Sequence, residues 1–553
     1  MSSNPNAFHL GLCLAGAISA GAYTAGVIDY LIEALEEWQK RKATNAPNTP
    51  SHQVVISVIG GASAGGMTGI ITASAINQPY FPMANFPQPL GAPQLQNKLY
   101  HSWVDLVEDD MFPRMLKTDD IKPKQIYSLL NASFIDEIAN RILQIDSALP
   151  WIYPKYINDN LKIFTTLSNL EGFEYDVAFK SNLPNGRYIM SIHNDYASFV
   201  LNKNANQYDH DGWIPLNFQN SLNTSIARDA AMATGAFPIG LRARTVNRDT
   251  LHVNENRWLR DIFKQKPLTD PFIETINVDG GLINNEPFEK VQDLLRTITG
   301  ESPQENQDYH SVKSTIVMVD PFPSEEGKFD NSDLLTTVMG NTLSSMISQM
   351  RVKKELLEDA LDSTKSGQFL IAPTRPDPDS PGEKLNGSRA IACGTLGGFG
   401  GFLHKDFRIH DFFLGRANCE RFLRHYFTVP PDTTNAIFLD GYNGVTDKTP
   451  FTSPIGHQLQ IIPLFTTEKQ DITLPMFARD LNWPVLKEEQ VDRFRPMIKK
   501  RTQTLLMNMD DYRWDTRFLL WMGAKVVLNR KLADAVLKKI KGSLKEYRLL
   551  HGK

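Results

Sequence analysis

Twice within its first 77 residues, this chain runs from an apolar β-rich segment through a turn of small residues into an apolar helix. The strand-like runs are Phe8–Leu14 and Val54–Ile59; the turns are Ala15–Gly21 and Gly60–Ser63. Parallel neighbours in a sheet need a crossover helix, so this alternation points to an α/β domain with a largely parallel central sheet. Val27, Leu31, Leu35 and Trp38 step by 4, 4 and 3, which makes one stripe of the first helix. The uncharged stretch Leu10–Ile28 has the look of a signal peptide or a membrane span. No Lys or Arg precedes Lys40, however, and Asp29, Glu33, Glu36 and Glu37 follow at once. It is read as buried strand, turn and helix.

Further strands are expected at Leu161–Leu167, Tyr188–Ile192, Ile273–Val278 and Ser314–Val319. Residues 78–97 hold five prolines and no charge, the composition of a long surface loop that acts as a lid. A long helix is expected from about Ser332 to Leu361. The stretch 364–388, dense in Pro, Asp, Gly and Ser, is the expected domain boundary. Two units follow: a catalytic domain over 1–365, with insertions at 78–100 and 180–215, and a mainly helical C-terminal extension over 366–553. Residues 525–553 carry nine Lys or Arg against two acids. Leu528, Leu532, Val536, Ile540, Leu544 and Tyr547 form an apolar stripe there, so a helix over 525–550 is expected either to lie on an anionic membrane surface or to dock on its own domain.

Composition narrows the function classes. At 41% hydrophobic and 22% charged, the 553 residues are ordinary for a globular chain. With 58 basic and 62 acidic residues, the net charge of −4 offers no global field for nucleic acid. Cys13, Cys393 and Cys419 are too few for a disulfide framework and fit a reducing compartment. The expected location is cytoplasmic, with membrane association left open. No cofactor is expected, oligomeric state is left open, and HExxH and paired CxxC motifs are absent, so no metal is expected.

One motif carries chemistry. Gly61-Ala-Ser-Ala-Gly65 is the single GxSxG, with a β-rich run before it and a helix of small residues after it. That context is a nucleophile elbow, in which glycines permit the turn that lifts the Ser63 hydroxyl above the sheet. A serine needs a base. His210 and His310 lie in polar surroundings, and His410, beside Asp411 within Phe407–Leu414, reads as a structural hydrogen bond. Asp279 is the stronger candidate, at the end of an apolar strand and followed by Gly280 and Gly281, since ligands bind at strand ends of open α/β sheets. The first turn, Ala15–Gly21, joins a strand to a helix, so its backbone N–H groups are candidates to line an oxyanion hole.

These blocks, in this order, resemble the patatin-like phospholipases: a Gly-rich first loop, GxSxG and Asp-Gly-Gly. Ala227-Arg-Asp-Ala-Ala-Met-Ala-Thr-Gly-Ala-Phe-Pro238 and Thr165–Gly172 add to the resemblance, which covers roughly residues 8–320. It implies a three-layer α/β/α fold and a serine lipid acyl hydrolase of phospholipase A or lysophospholipase type. Ser63 would be the nucleophile and Asp279 the general base, with an acyl-enzyme intermediate and no histidine, and backbone N–H groups around Gly16, Ala17 and Ile18 would hold the oxyanion. Asp279 must then titrate well above the ~3.9 of a free aspartate. A carboxylesterase or thioesterase on soluble esters, and a non-catalytic lipid- or partner-binding member, are the alternatives. The first loop departs from the family pattern Gly-Gly-Gly-x-Arg-Gly, reading Gly16-Ala-Ile-Ser-Ala-Gly21. A β-branched Ile18 does not readily take a positive φ, so the loop is expected to donate in an ordinary conformation or to differ in shape. Ala20 stands where the family has Arg, which would remove a fixed positive charge and favour neutral esters or lysolipids.

Overall fold

The computed structural model describes residues 7–83, 97–105, 111–146, 148–178, 187–203, 211–264, 266–302, 308–323, 368–466, 472–477, 482–508 and 529–551. Residues 84–96 of the expected lid over 78–97 and the expected helix at 332–361 therefore lie outside the described residues, as do 180–186 and 204–210 of the 180–215 insertion.

The first strand sets the layering. In β1 (Ala7–Leu14), Leu10, Leu12 and Leu14 face one hydrophobic core while Cys13 faces another. All eight residues are buried, the mark of a strand covered on both faces. Helix α1 (Gly21–Ala43) leads from β1 to β2 (Gln53–Gly61), which pairs parallel with it. Helix α2 (Ser63–Ala75) then precedes the long β3 (Ile157–Ala178), parallel to β2, with α3 (Ser133–Ile142) in the connection. Strand β4 (Arg187–Asn202) returns antiparallel to β3, and β5 (Ile214–Leu216) lies parallel outside it. Helix α4 (Thr224–Thr234) is followed by the antiparallel pair β6 (Arg244–Asp249) and β7 (Phe272–Asp279), whose last residues join β3. Helix α5 (Phe288–Thr299) leads to β8 (Ser314–Val319), parallel to β1 on the side away from β2. Its Val291 and Leu295 occupy the space beside Gly11, where a side chain on the strand would collide with them.

With a further strand β9 (Gln368–Ile371), the main sheet runs β5-β4-β3-β2-β1-β8-β9, with β7 on β3 and β6 on β7. It is a mixed, mostly parallel sheet flanked by helices. Chain order reverses at β1, since β2 lies on one side of it and β8 on the other. Right-handed crossovers then put α1 and α5 on opposite faces and open a crevice at the strands' carboxyl ends.

Strand β9 (Gln368–Ile371) lies just beyond the expected domain boundary, yet it extends this sheet beside β8. Helix α6 (Lys405–His425) packs along α1 so closely that a side chain at Gly26 would meet the Phe412 carbonyl oxygen at 1.9 Å. Gly415 likewise faces the backbone of Tyr23. Arg416 of α6 pairs with buried Asp29 of α1. The two regions share one hydrophobic core.

Two helices close the C-terminal part, α7 (Arg495–Asn508) and α8 (Asn529–Glu546). Of the predicted stripe, Ile540 and Leu544 are buried and Val536 and Tyr547 pack against the core, and only Leu532 among its described residues departs. Successive steps of four drift about 40° each around a 3.6-residue helix, so such a run walks off any one face. The face that docks is Ala533, Leu537, Ile540 and Leu544, all buried, whereas Leu532 is 43% exposed. Lys541 reaches Glu488 (3.1 Å) and Asp492 (2.9 Å). The apolar face of this helix is occupied by the protein's own core, the docking alternative of the two expected for it. Among the described residues, no helix is long and apolar enough to cross a membrane.

Candidate active site

The elbow is built by close backbone approach. A side chain at Gly65 would meet the Leu14 carbonyl oxygen at 2.1 Å, and one at Gly61 would strike the backbone of Gly65. The Ala62 N–H donates to that same Leu14 carbonyl (3.1 Å), tying the turn to the end of β1. Ser63 follows with φ +49°, a left-handed conformation in a non-glycine residue, and opens α2. Its own N–H donates to Thr234 Oγ1 at the end of α4 (2.9 Å), so two elements hold the strained residue.

Asp279 arrives from the opposite direction. It ends β7, where it pairs with Leu167 of β3. Its N–H donates to the Ala236 carbonyl (2.9 Å), and its carbonyl accepts from Ser168 Oγ (2.8 Å). With the backbone fixed, the carboxylate divides its two oxygens. Oδ1 accepts from the Gly281 N–H (2.8 Å), and Oδ2 accepts from Ser63 Oγ (2.6 Å). Gly280 lets the following turn press onto the Thr166 carbonyl. Burial pushes the Asp279 carboxyl up to about 6, against the opposing pull of the hydrogen bonds from Ser63 and Gly281. Among the described residues no Lys, Arg or His pairs with it.

Serine and aspartate share an apolar cavity of about 960 Å³, counted out to its mouth. Its walls follow two helices. Met67, Ile70 and Ile71 line it along α2; Gly235, Met232, Ala231 and Arg228 line it along α4, ending about 10 Å from the dyad end at 1.5 Å per residue. Phe134, Ile135 and Ile138 of α3 complete the wall. At Ala139, Leu143 and Arg228 the cavity meets a second, polar chamber of about 1300 Å³, lined by Asn140, Gln144, Ser221 and Thr224 among others.

The first loop lies against the nucleophile. Gly16 packs on Ser63, where an added side chain would come within 3.0 Å of its Cβ, and Ile18 lines the cavity. Ala17 is buried but is not on the cavity wall. Ile18 has φ +49°, against the expectation that a β-branched residue would avoid that region. The conformation costs about 1–2 kcal/mol and persists only where neighbours enforce it. Ala20 is fully buried, and Arg408, from α6, is among the residues that line the cavity with Ser63.

Among the described residues no histidine lines the cavity. His410 is buried, with Nδ1 2.7 Å from Asp411 Oδ1. That carboxylate also accepts from the Ala392 and Cys393 N–H groups (both 2.8 Å), a structural role. His310 Nδ1 accepts from the Thr434 N–H (3.1 Å), and His210 lies outside the described residues. Among the described residues no His, Cys, Asp and Glu group is arranged to hold a metal ion.

Thr234, Asn285 and Arg408 were not singled out from the sequence. Thr234 sits inside the Ala227–Pro238 block, which was a usable signal, although nothing in the residue type reveals a bond to the elbow. The Asn285 amide oxygen lies where side chains on Gly16 or Gly281 would go, and so spaces the two turns. Only tertiary structure brings Arg408 there.

The family model described as patatin-like phospholipase matches residues 12–291 of this chain. The chain is also similar to a protein of Sinorhizobium fredii (strain NBRC 101917 / NGR234) that carries the name "Uncharacterized protein y4iI". The two are 30% identical over 585 aligned positions, which cover 94% of this chain and 80% of the relative.

Proposed function

Because this chain belongs to the patatin-like phospholipases, a family of lipid acyl hydrolases, we propose that it cleaves acyl esters of lipids with a Ser63–Asp279 dyad. The observation that carries this reading is the 2.6 Å hydrogen bond from Ser63 Oγ to Asp279 Oδ2 at an apolar cavity.

Chemistry follows from the division of the carboxylate. Oδ1 is engaged by Gly281, which leaves Oδ2 to take the serine proton as Oγ attacks the acyl carbonyl. A base that titrates near 6 is ionised at neutral pH yet retains a useful proton affinity, worth about 10²–10⁴ in rate for a positioned general base. The tetrahedral oxyanion would form at the N-terminus of α2, facing the first loop, where backbone N–H groups around Gly16–Ile18 stabilise it. Collapse expels the alcohol, which takes the proton held by Asp279. A water, deprotonated by the same carboxylate, then releases the acyl group from Ser63. The apolar channel between α2 and α4 is suited to the acyl chain. At about 1.3 Å per extended carbon, some eight carbons reach Arg228 and the polar chamber.

A fluorophosphonate probe and a series of lysophospholipids and phospholipid vesicles of graded acyl length test the reading. Labelling at Ser63 and turnover best near that length are expected, with both lost in Ser63→Ala. Equal activity of wild type and Ser63→Ala on every acyl ester tried would sink the hydrolase reading. Turnover of short soluble esters alone, with none on vesicles or lysophospholipids, would move the substrate class to soluble esters.

A further inference from the structure

The strained Ile18 is held by the far end of the chain. Ser19 Oγ donates to the Gly398 carbonyl (2.5 Å) and accepts from the Gly401 N–H (2.9 Å). One hydroxyl thereby ties the first loop to a segment about 380 residues away. Gly398, at φ +99°, presses its backbone against Ile18; an added Cβ would sit 3.3 Å from the Ile18 side chain. Leu396 and Gly397 before it are also left-handed, at φ +57° and +64°.

Three contacts anchor this unusual segment in turn. Asp411 receives the N–H groups of Ala392 and Cys393 at its start. Ser543 of α8 bonds Thr395 Oγ1 (2.7 Å) and the Leu396 N–H (3.0 Å) at its middle. At its end, buried Arg408 donates to the Gly401 carbonyl (2.5 Å) and, through Nε and Nη2, to the Val104 carbonyl (3.0 and 2.9 Å). A residue in a sparsely populated conformation stays there when its surroundings over-determine it, and such residues cluster at functional sites.

We infer that the C-terminal segment 392–401 is a positioning element for the oxyanion loop, with Ser19 as its contact and Arg408 as its anchor. The inference rests on the proposed dyad chemistry. The C-terminal part then acts in the chemical step through the backbone of Ile18, although it supplies neither nucleophile nor base.

The test uses the full-length protein with a soluble medium-chain 4-nitrophenyl ester and a trifluoromethyl ketone of the same acyl chain, which forms a tetrahedral adduct with an active serine. Ser19→Ala is expected to lower kcat about 10²-fold, the loss typical of an oxyanion donor, and to weaken the ketone by a similar factor. KM is expected to stay within about twofold, since a transition-state contact is the one removed. The acid limb of the pH profile stays near 6, because Asp279 is untouched. Adding Ile18→Gly to Ser19→Ala is expected to recover much of the lost kcat, because glycine takes the positive φ unaided. A merely structural role would not produce that rescue. Unchanged kcat with a raised KM, or a ketone bound as tightly as by wild type, overturns the inference. If Ser19→Ala does not fold, Arg408→Gln, which loses the bond to Gly401 and the fork on Val104, is judged by the same kcat, KM and ketone outcomes. Wild type that neither labels at Ser63 nor turns over would instead overturn the hydrolase reading beneath it.

Discussion

Two buried aspartates occupy opposite ends of the same electrostatic problem. Asp29, on α1, is fully buried and surrounded by donors: Arg416, Tyr80, the Asn97 amide (2.6 Å) and the Met83 N–H (3.2 Å). Asp279 is nearly as buried, but its donors are one serine hydroxyl and one backbone N–H. A guanidinium beside a buried carboxylate satisfies it, whereas burial without a cation raises its proton affinity. The first arrangement fastens α6 to α1; the second makes a base. What separates a structural carboxylate from a candidate catalytic one in this chain is the missing cation, not depth.

The largest expected effect is on chemistry. Asp279→Asn preserves the turn but cannot take a proton, and kcat is expected to fall about 10³-fold or more, measured by steady-state hydrolysis. Retained turnover would remove Asp279 from the mechanism. The converse change is Arg416→Met, which strands Asp29 without its cation. Breaking a buried pair in that way costs about 3–5 kcal/mol, read as a lowered midpoint in chemical denaturation. At a temperature where this variant is folded, kcat is expected to stay within about twofold of wild type, since Arg416 does not line the cavity.

Stability should respond to pH with opposite sign at Asp279. Its folded-state pKa is raised, so its protonated form contributes stability that is fully present below about 4 and lost as pH rises through about 6. Asp279→Asn is therefore expected to be more stable than wild type at pH 8, by up to about 3 kcal/mol, with the difference closing toward pH 4. Denaturation at the two pH values checks this; a difference independent of pH would place the aspartate's charge elsewhere. The smallest effect is the shape of the rate profile. kcat/KM is expected to fall about tenfold per pH unit below about 6, the limb of one essential carboxylate.

Local physics explains what could be read in advance. The leucine alternation of β1, the valine and isoleucine run of β2, the GxSxG turn and Asp-Gly-Gly are each short patterns whose meaning depends on adjacent residues. Strand β6 was missed because one of its inward positions is Arg248, whose charge is met by Asp195 from β4. Strand β9 was missed because four residues beside a Pro- and Asp-rich stretch carry no period to detect. Ile18 was misjudged because its backbone preference is local, while the bonds that override it come from Gly398 and Gly401. Helix α8 was legible for most of its length, since Ile540 and Leu544 of the predicted stripe are buried and Val536 and Tyr547 pack on the core, while Leu532 is exposed because steps of four drift off the docking face.

The bond between Ser19 and Gly401 also bears on synthesis. A chain still being made holds Ser63 and Asp279 once its first 279 residues have emerged, but it lacks the segment that props Ile18 until residue 401 is available. On the inference above, the protein becomes competent against lipid only when most of it has left the ribosome, so translation itself delays the onset of hydrolysis. Stalled chains ending before and after α6, exposed to a fluorophosphonate, would display that timing as labelling confined to the longer ones.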